Sequence, residues 1–252
     1  PEGGYAGEYL KELAAEILQT EGMRFTGSPV EQATAELGAI GLQHVLSSIR
    51  ADLDLLGVTY DNWFSEQSLL DSGDFDHVMS LLNQSKLVID RDGARWFASS
   101  RLGQDRDNVL FRSGGGGQTY LATDIAYHYD KFIQRDFDRV IDVWGADHHG
   151  HVPPLKSAME ALGIDPDRLI IVLNQIVSFK DGEEVKRLSK RRGSIVTVRQ
   201  LIDDVGKDAC RFIFMSRSPE AQIEFDLNLV RKQTSENPVY YVQYAYARLS
   251  SI

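Results

Sequence analysis

The chain has 252 residues, with 27 Lys and Arg against 37 Asp and Glu, a formal charge of −10. A chain of this length buries roughly three quarters of its unfolded surface, and 42% hydrophobic with 25% charged residues excludes the disordered, collagenous and coiled-coil classes. Cys210, the single cysteine, excludes an internal disulfide framework and a Cys-based zinc ribbon and points to a reducing cytoplasm.

No apolar run reaches the ~18–20 residues of a membrane span, so no membrane partner is expected. The sequence opens on Pro1 rather than Met and is expected to be a piece of a longer one. Its acidic balance argues against blanket binding to nucleic acid. Against that background, Lys186, Arg187, Lys190, Arg191 and Arg192 place five cations within seven residues. On its own such a run reads as a solvated loop.

Taken in chain order, Ala6, Leu10, Leu13, Ala14, Ile17 and Leu18 recur at three- and four-residue steps and line a helix face. Ser28, Pro29 and Glu31 supply an N-cap, a first-turn proline and a capping-box acid for a second helix. That helix is expected to stop near Gly57. A third covers Ser65 to Leu82. Leu87–Ile89 and Ala94–Phe97 flank Arg91-Asp92-Gly93 as a hairpin, and Val109–Phe111 is a further short strand.

From Thr119 the texture changes. Tyr120-Leu121 reads as a short strand, Asp124 to Phe132 as a helix, and Val140–Trp144 as a buried-type strand. Val152 to Leu162 is helical, with Pro153 and Pro154 in the first turn, and Leu169 to Leu173 is another strand. Strands alternating with helices through short joints imply parallel pairing. The expected fold is therefore α/β: half of a doubly wound, Rossmann-like parallel sheet, with a helical plus β-hairpin insertion and C-terminal helices. Expected segments are 1–112 for the insertion, 113–235 for the half sheet with its basic loop, and 236–252 for the start of a helical domain. Ile176–Phe179 and Glu183–Lys186 flank Asp181-Gly182 as a second hairpin, helices fill Val198 to Arg217, and a last helix begins near Pro238. Its row Tyr240, Tyr241, Tyr244, Ala245 and Arg248 is either a core stripe or an RNA-facing edge.

Ligands of open parallel sheets sit beyond the carboxyl ends of the strands. Three such ends are expected, at Thr123-Asp124, at Gly145 to His151, and at Asn174-Gln175. Asp147, His148, His149 and His151 read as substrate contacts, structural histidines or a metal site. Adjacent residues chelate one ion poorly, however, and no third remote ligand is evident. Gly145 and Gly150 would let the backbone approach a flat ligand. Asp124, expected in a first helical turn where the dipole favours its ionised form, is either a capping acid or, beside Tyr120, a grip for a planar guanidinium. Ser113 to Gln118 lacks a Gly-Lys-Ser/Thr ending and reads as a hairpin loop rather than a phosphate cradle. Cys210 falls in an apolar helical pattern and reads as buried and inert.

These segments converge. Arg187-Leu188-Ser189-Lys190-Arg191 resembles the KMSKS-type signature of class I aminoacyl-tRNA synthetases. Tyr120 to His128 and Trp144 to His151 resemble segments specific to arginyl-tRNA synthetases, and Asn237 to Arg248 resembles that family's entry into its helical anticodon-binding domain. The resemblance implies a ligase of translation that activates arginine with ATP, as its Mg2+ complex, and transfers it to tRNA(Arg). It implies a cytoplasmic, monomeric enzyme with no protein-bound zinc.

By the same resemblance, Tyr120 and Asp124 hold the arginine side chain and His148 lines its pocket. Gly145 and Asp147 face the adenylate, and Arg187, Ser189, Lys190 and Arg191 form the loop that closes on the ATP phosphates. Lys190 and Ser189 act in catalysis; Arg192, Tyr244 and Arg248 contact tRNA. Two departures stand out. Arg187 replaces the usual first lysine of the signature, and the family's HIGH-type phosphate-binding loop has no counterpart before residue 119. His148-His149-Gly150-His151 mimics its spacing, but a βα unit already precedes it, and the basic loop follows after only ~40 residues, too few for the other half of a doubly wound sheet. The piece alone is therefore expected to be catalytically incomplete. Other readings are a small ATP-dependent nucleotidyltransferase, a non-catalytic RNA-binding module, and, more remotely, a metal hydrolase.

Overall fold

A computed structural model of the chain describes residues 8–181, 184–186 and 196–252. It is mixed α/β and divides into two compact units, one of residues 1–61, 177–218 and 222–252, the other of residues 62–176 and 219–221. Each unit draws on more than one of the three segments expected from the sequence.

The first unit begins with α1 (Glu8–Glu21) and α2 (Val30–Leu56). The expected capping box of α2 does not form. Pro29 is its N-cap residue, and Ser28 Oγ turns back to donate to the Arg24 carbonyl at 3.4 Å. Its end is as expected: Gly57 takes φ 75°, and the Gly57 and Val58 amides donate back to Asp54 and Leu53, a Schellman closure.

The second unit holds the elements that build the site. The helix expected over Ser65–Leu82 is two helices, α3 (Glu66–Asp71) and α4 (Asp74–Gln84), broken where Gly73 takes φ 83°. β1 (Val88–Arg91), β2 (Ala94–Phe97) and β3 (Asn108–Phe111) form an antiparallel sheet in that order. Asp92 and Gly93 both have positive φ, as a two-residue hairpin turn of the primed type needs. Then comes α5 (Tyr120–Tyr129), continued by a π-helical turn at Asp130–Gln134. β4 (Val140–Gly145), α6 (Val152–Ala161) and β5 (Leu169–Asn174) follow. The two strands pair in parallel, from Val140 opposite Leu169 to Gly145 opposite Asn174.

Tyr120-Leu121 is thus the start of a helix and not a strand. Leu121, Ala122, Ile125 and Ala126 are all buried, and this three- and four-residue spacing gives α5 one apolar face. That face joins Leu82, Phe97, Leu110, Leu155, Met159 and Leu169 in a single core. β4 was expected to be buried on both faces. Val140 and Asp142 are covered, whereas Ile141 is 59% and Val143 69% exposed. Two paired parallel strands with one covered face are observed, which is less than a doubly wound sheet.

Back in the first unit, β6 (Ser178–Asp181) lies between antiparallel β7 (Glu184–Lys186) and parallel β8 (Glu224–Asp226). The helices expected over Val198–Arg217 are α7 (Val198–Val205) and α8 (Lys207–Met215), with Gly206 between them at φ 84°. α9 (Leu227–Arg231) and α10 (Pro238–Ser250) complete the unit. Phe179, Leu201, Cys210, Phe225 and Val239 form its core. Burial pushes the Cys210 thiol up, in keeping with an inert side chain. Among the described residues no helix is long and apolar enough to cross a membrane.

Candidate functional site

A cavity of about 370 Å³ opens in the second unit, lined by Tyr120, Asp124, Val143, Trp144, Gly145, His148 and His151. Three local features build it. Tyr120 and Asp124 stand four residues apart on α5 and so share one face, one turn apart. Val143, Trp144 and Gly145 are the carboxyl end of β4. A 3₁₀ segment over Ala146–His151 then carries His148 and His151 back over the opening. Trp144, His148 and His151 stack edge to face, with ring centroids 6.4 and 5.7 Å apart.

α5 starts at Tyr120 because the loop before it is closed on itself. Phe111 bridges Gln118, Arg112 donates its amide to the Gly117 carbonyl, and Thr119, in extended conformation, donates its hydroxyl to the Val109 carbonyl at 2.8 Å. The glycines of Ser113–Gln118 therefore serve a hairpin loop. One correction follows for Asp124. It is the fifth residue of α5, outside the first turn, so the helix dipole does not account for its charge.

Burial is the main influence on Asp124, pushing its carboxyl up. His128 and His151 pull it back down, while Glu66 and Asp142 push it further up. Among the described residues no side chain donates a hydrogen bond to this carboxylate. A half-buried anion facing a cavity with no donor of its own matches a cation that brings its own donors, and a guanidinium does so with a planar fork.

Glu66 is a residue that sequence reasoning missed; it reads as an ordinary first-turn acid of α3. It lines an adjoining recess of about 320 Å³ with Gln67, Arg112, Gln118, Tyr120 and Thr123. Tyr120 is the wall common to both spaces. No local sequence signal singles out Glu66, because its proximity to Asp124 is made by the packing of α3 on α5.

Of the other expected site residues, Gly145 lines the cavity. A Cβ there would meet Asp147 Oδ1 at 2.5 Å. Asp147 itself is exposed and lies outside the lining, with its carboxylate 3.8 Å from His148 Nε2. Gly150 has open space around it. Asn174 and Gln175 do not line the cavity; the Gln175 amide donates to Pro219. His149 turns its ring to the Ala146 carbonyl, and among the described residues no three His, Cys, Asp or Glu side chains gather to hold a metal. Arg187, Ser189, Lys190, Arg191 and Arg192 lie outside the described residues. Tyr244 and Arg248 stand on α10 in the other unit. The core-stripe reading of that row is overturned, since Tyr241 is 58% and Tyr244 56% exposed.

The family described as tRNA synthetases class I (R), catalytic domain, matches residues 42–245. An arginine–tRNA ligase of Caldanaerobacter subterraneus is 52% identical over the whole chain, and one of Dehalococcoides mccartyi is 50% identical. The chain spans 45% of the length of each. Among solved structures, a candidate arginyl-tRNA synthetase from Campylobacter jejuni superposes with a TM-score of 0.86 at 36% identity, over 98% of this chain and 53% of that one. An arginyl-tRNA synthetase of Thermus thermophilus shares the fold, with a TM-score of 0.72 at 19% identity over 96% of this chain and 50% of that one. With the family's match running through the cavity and most of the sequence on either side of it, the chain belongs to the class I arginyl-tRNA synthetase catalytic domains.

Proposed function

We propose that the chain is the second half of the catalytic domain of an arginine–tRNA ligase, with its inserted helical and hairpin elements and the start of its helical anticodon-binding domain. The full-length protein activates arginine with ATP to arginyl-adenylate and passes it to tRNA(Arg). The observation that carries this reading is the cavity that joins Tyr120 and Asp124 of α5 to Gly145 and His148 at the end of β4.

In this reading Asp124 pairs with the guanidinium, Tyr120 bounds it, and Glu66 adds negative potential from the adjoining recess. The substrate's own carboxylate then attacks the α-phosphorus of MgATP; a carbon-borne oxygen–phosphorus bond forms as the bond to pyrophosphate breaks. Charge builds on phosphate oxygens, which the loop of Arg187, Ser189, Lys190 and Arg191 meets as it develops. Gly145 and Asp147 flank the adenylate. No side-chain nucleophile is required, and positioning supplies most of the rest. Arg192, Tyr244 and Arg248 are contacts for tRNA, and the exposure of Tyr244 on α10 supports that role.

The Rossmann-like reading of the sheet is supported by the parallel register of β4 and β5 and by the uncovered Ile141 and Val143. It places the HIGH-type half of the site on chain absent from these 252 residues. The enzyme is read as cytoplasmic and monomeric. The test is tRNA-dependent ATP–pyrophosphate exchange. The full-length protein is expected to exchange with arginine and not with lysine, and the isolated 252-residue chain to give no exchange above background. Exchange by the isolated chain overturns the incomplete-site reading, and full-length protein that ignores arginine overturns the assignment.

A further inference from the structure

Beneath the cavity lies a buried set of ionisable groups that the reaction just described does not use. His128, one turn beyond Asp124 on α5, is 2% exposed, and Asp142 on β4 is 7% exposed. His128 Nδ1 lies 2.7 Å from the backbone carbonyl oxygen of Asp124, and Nε2 lies 2.5 Å from Asp142 Oδ2. A carbonyl oxygen only accepts, so Nδ1 carries a hydrogen. Lys131 Nζ donates to the other Asp142 oxygen at 2.8 Å. Burial pushes the Asp142 carboxyl up, but the hydrogen bonds and charges of His128 and Lys131 outweigh it and hold the group below the usual carboxylate range. Each ring nitrogen of His128 thus meets an oxygen, one on the backbone of α5 and one on β4, and the ring is held at both ends.

We propose that His128 is a positioning residue for Asp124: pinned between the Asp124 carbonyl and Asp142, it fixes the arginine-binding turn of α5 against β4 three residues before Gly145. The proposal rests on the arginine-pocket reading of Asp124. Its geometry is a clamp. One ring joins the backbone of the residue that grips the substrate to the strand whose end forms the opposite wall of the same cavity.

Its electrostatics follow from what surrounds Asp124. His128 faces it from its own helix, Glu66 from α3, His151 from the 3₁₀ segment and Asp142 from β4. Burial and the two carboxylates oppose ionisation; the two histidines favour it. His151 is exposed, whereas His128 is buried and held on both sides. Lys131, the other cation of the set, is tied to Asp142 and sits 4.3 Å from the Tyr127 ring centroid. An apolar pair of similar volume would stabilise the fold about as well as a buried ion pair. What this hydrogen-bonded set adds is direction at the Asp124 turn.

Two measurements test this. In the chain itself, 15N spectra are expected to show a His128 Nδ1 proton that exchanges slowly with solvent, as its bond to the Asp124 carbonyl requires. In the full-length protein, His128→Gln is expected to raise the arginine KM about tenfold at neutral pH while the ATP KM stays within about twofold. A His128 Nδ1 without a protected proton overturns the proposal even if the variant does not fold. So does an arginine KM that rises in step with that for ATP. Failure of the pocket reading shows separately, as an Asp124→Asn protein whose arginine KM is normal.

Discussion

On the proposed arginine-pocket reading, Asp124 is kept for its ligand at the expense of the empty fold. Burial pushes its carboxyl up, so the folded chain takes up a proton there more readily than the unfolded chain. Stability from this group is fully present below the unfolded pKa and is lost as pH rises through the folded one. Asp124→Asn removes the charge and keeps the shape, and is expected to raise the Tm of the ligand-free chain at pH 7 by about 1–4 °C. In the full-length protein the same change should raise the arginine KM by about tenfold to a hundredfold, the loss of a charge-assisted hydrogen bond, with ATP little affected. Wild-type arginine affinity should weaken as pH falls through the raised Asp124 pKa, and this dependence should vanish in the variant. Calorimetry against arginine at a series of pH values checks both; equal losses for arginine and ATP would make Asp124 a scaffold residue. Tyr120, Asp124, Gly145 and His148 were legible in the sequence because each lies in a short segment with a distinctive pattern. Glu66, His128 and Asp142 were not, because α3, α5 and β4 bring them together only in the folded unit.

At the scale of elements, what the sequence revealed is what is decided locally. Gly57 ends α2 and Asp92-Gly93 turns the first hairpin, since both require positive φ, which glycine and aspartate tolerate. Gly57→Ala is expected to cost about 1–2 kcal/mol, a fall in Tm of roughly 2–8 °C by thermal melt. Little of that is steric. An added Cβ would meet the Lys207 ammonium at 2.6 Å, and a flexible side-chain end can move away. An unchanged Tm would mean that the Arg211 guanidinium, which donates to the Leu56 and Gly57 carbonyls, holds the helix end by itself. Errors arose where tertiary partners choose between local options. Ser28-x-x-Glu31 has capping-box chemistry, yet Pro29 is the cap residue, and the box that does form is Thr197 with Gln200. Tyr120-Leu121 has strand propensity, but the closed loop before it and the apolar face after it make those residues a helix start.

For the whole molecule, the Rossmann-like reading proposed above turns on the open face of β4 and β5. Ile141 pairs with Ile170 across the two strands, and they are 59% and 38% exposed. A parallel sheet in a doubly wound fold is covered on both faces, so the missing cover is expected on chain outside these 252 residues. Ile141→Thr keeps β-branching and removes apolar surface. In the isolated chain, where the side chain is already exposed, it should change stability by less than about 0.5 kcal/mol. In the full-length protein the same substitution should cost about 1–3 kcal/mol, as a buried apolar group is replaced by a hydroxyl without a partner. Paired denaturant melts of the two proteins measure the difference directly. Equal small effects in both would leave this face open in the full-length protein too, and the doubly wound reading would fail while the cavity at Asp124 and Gly145 stood unaltered.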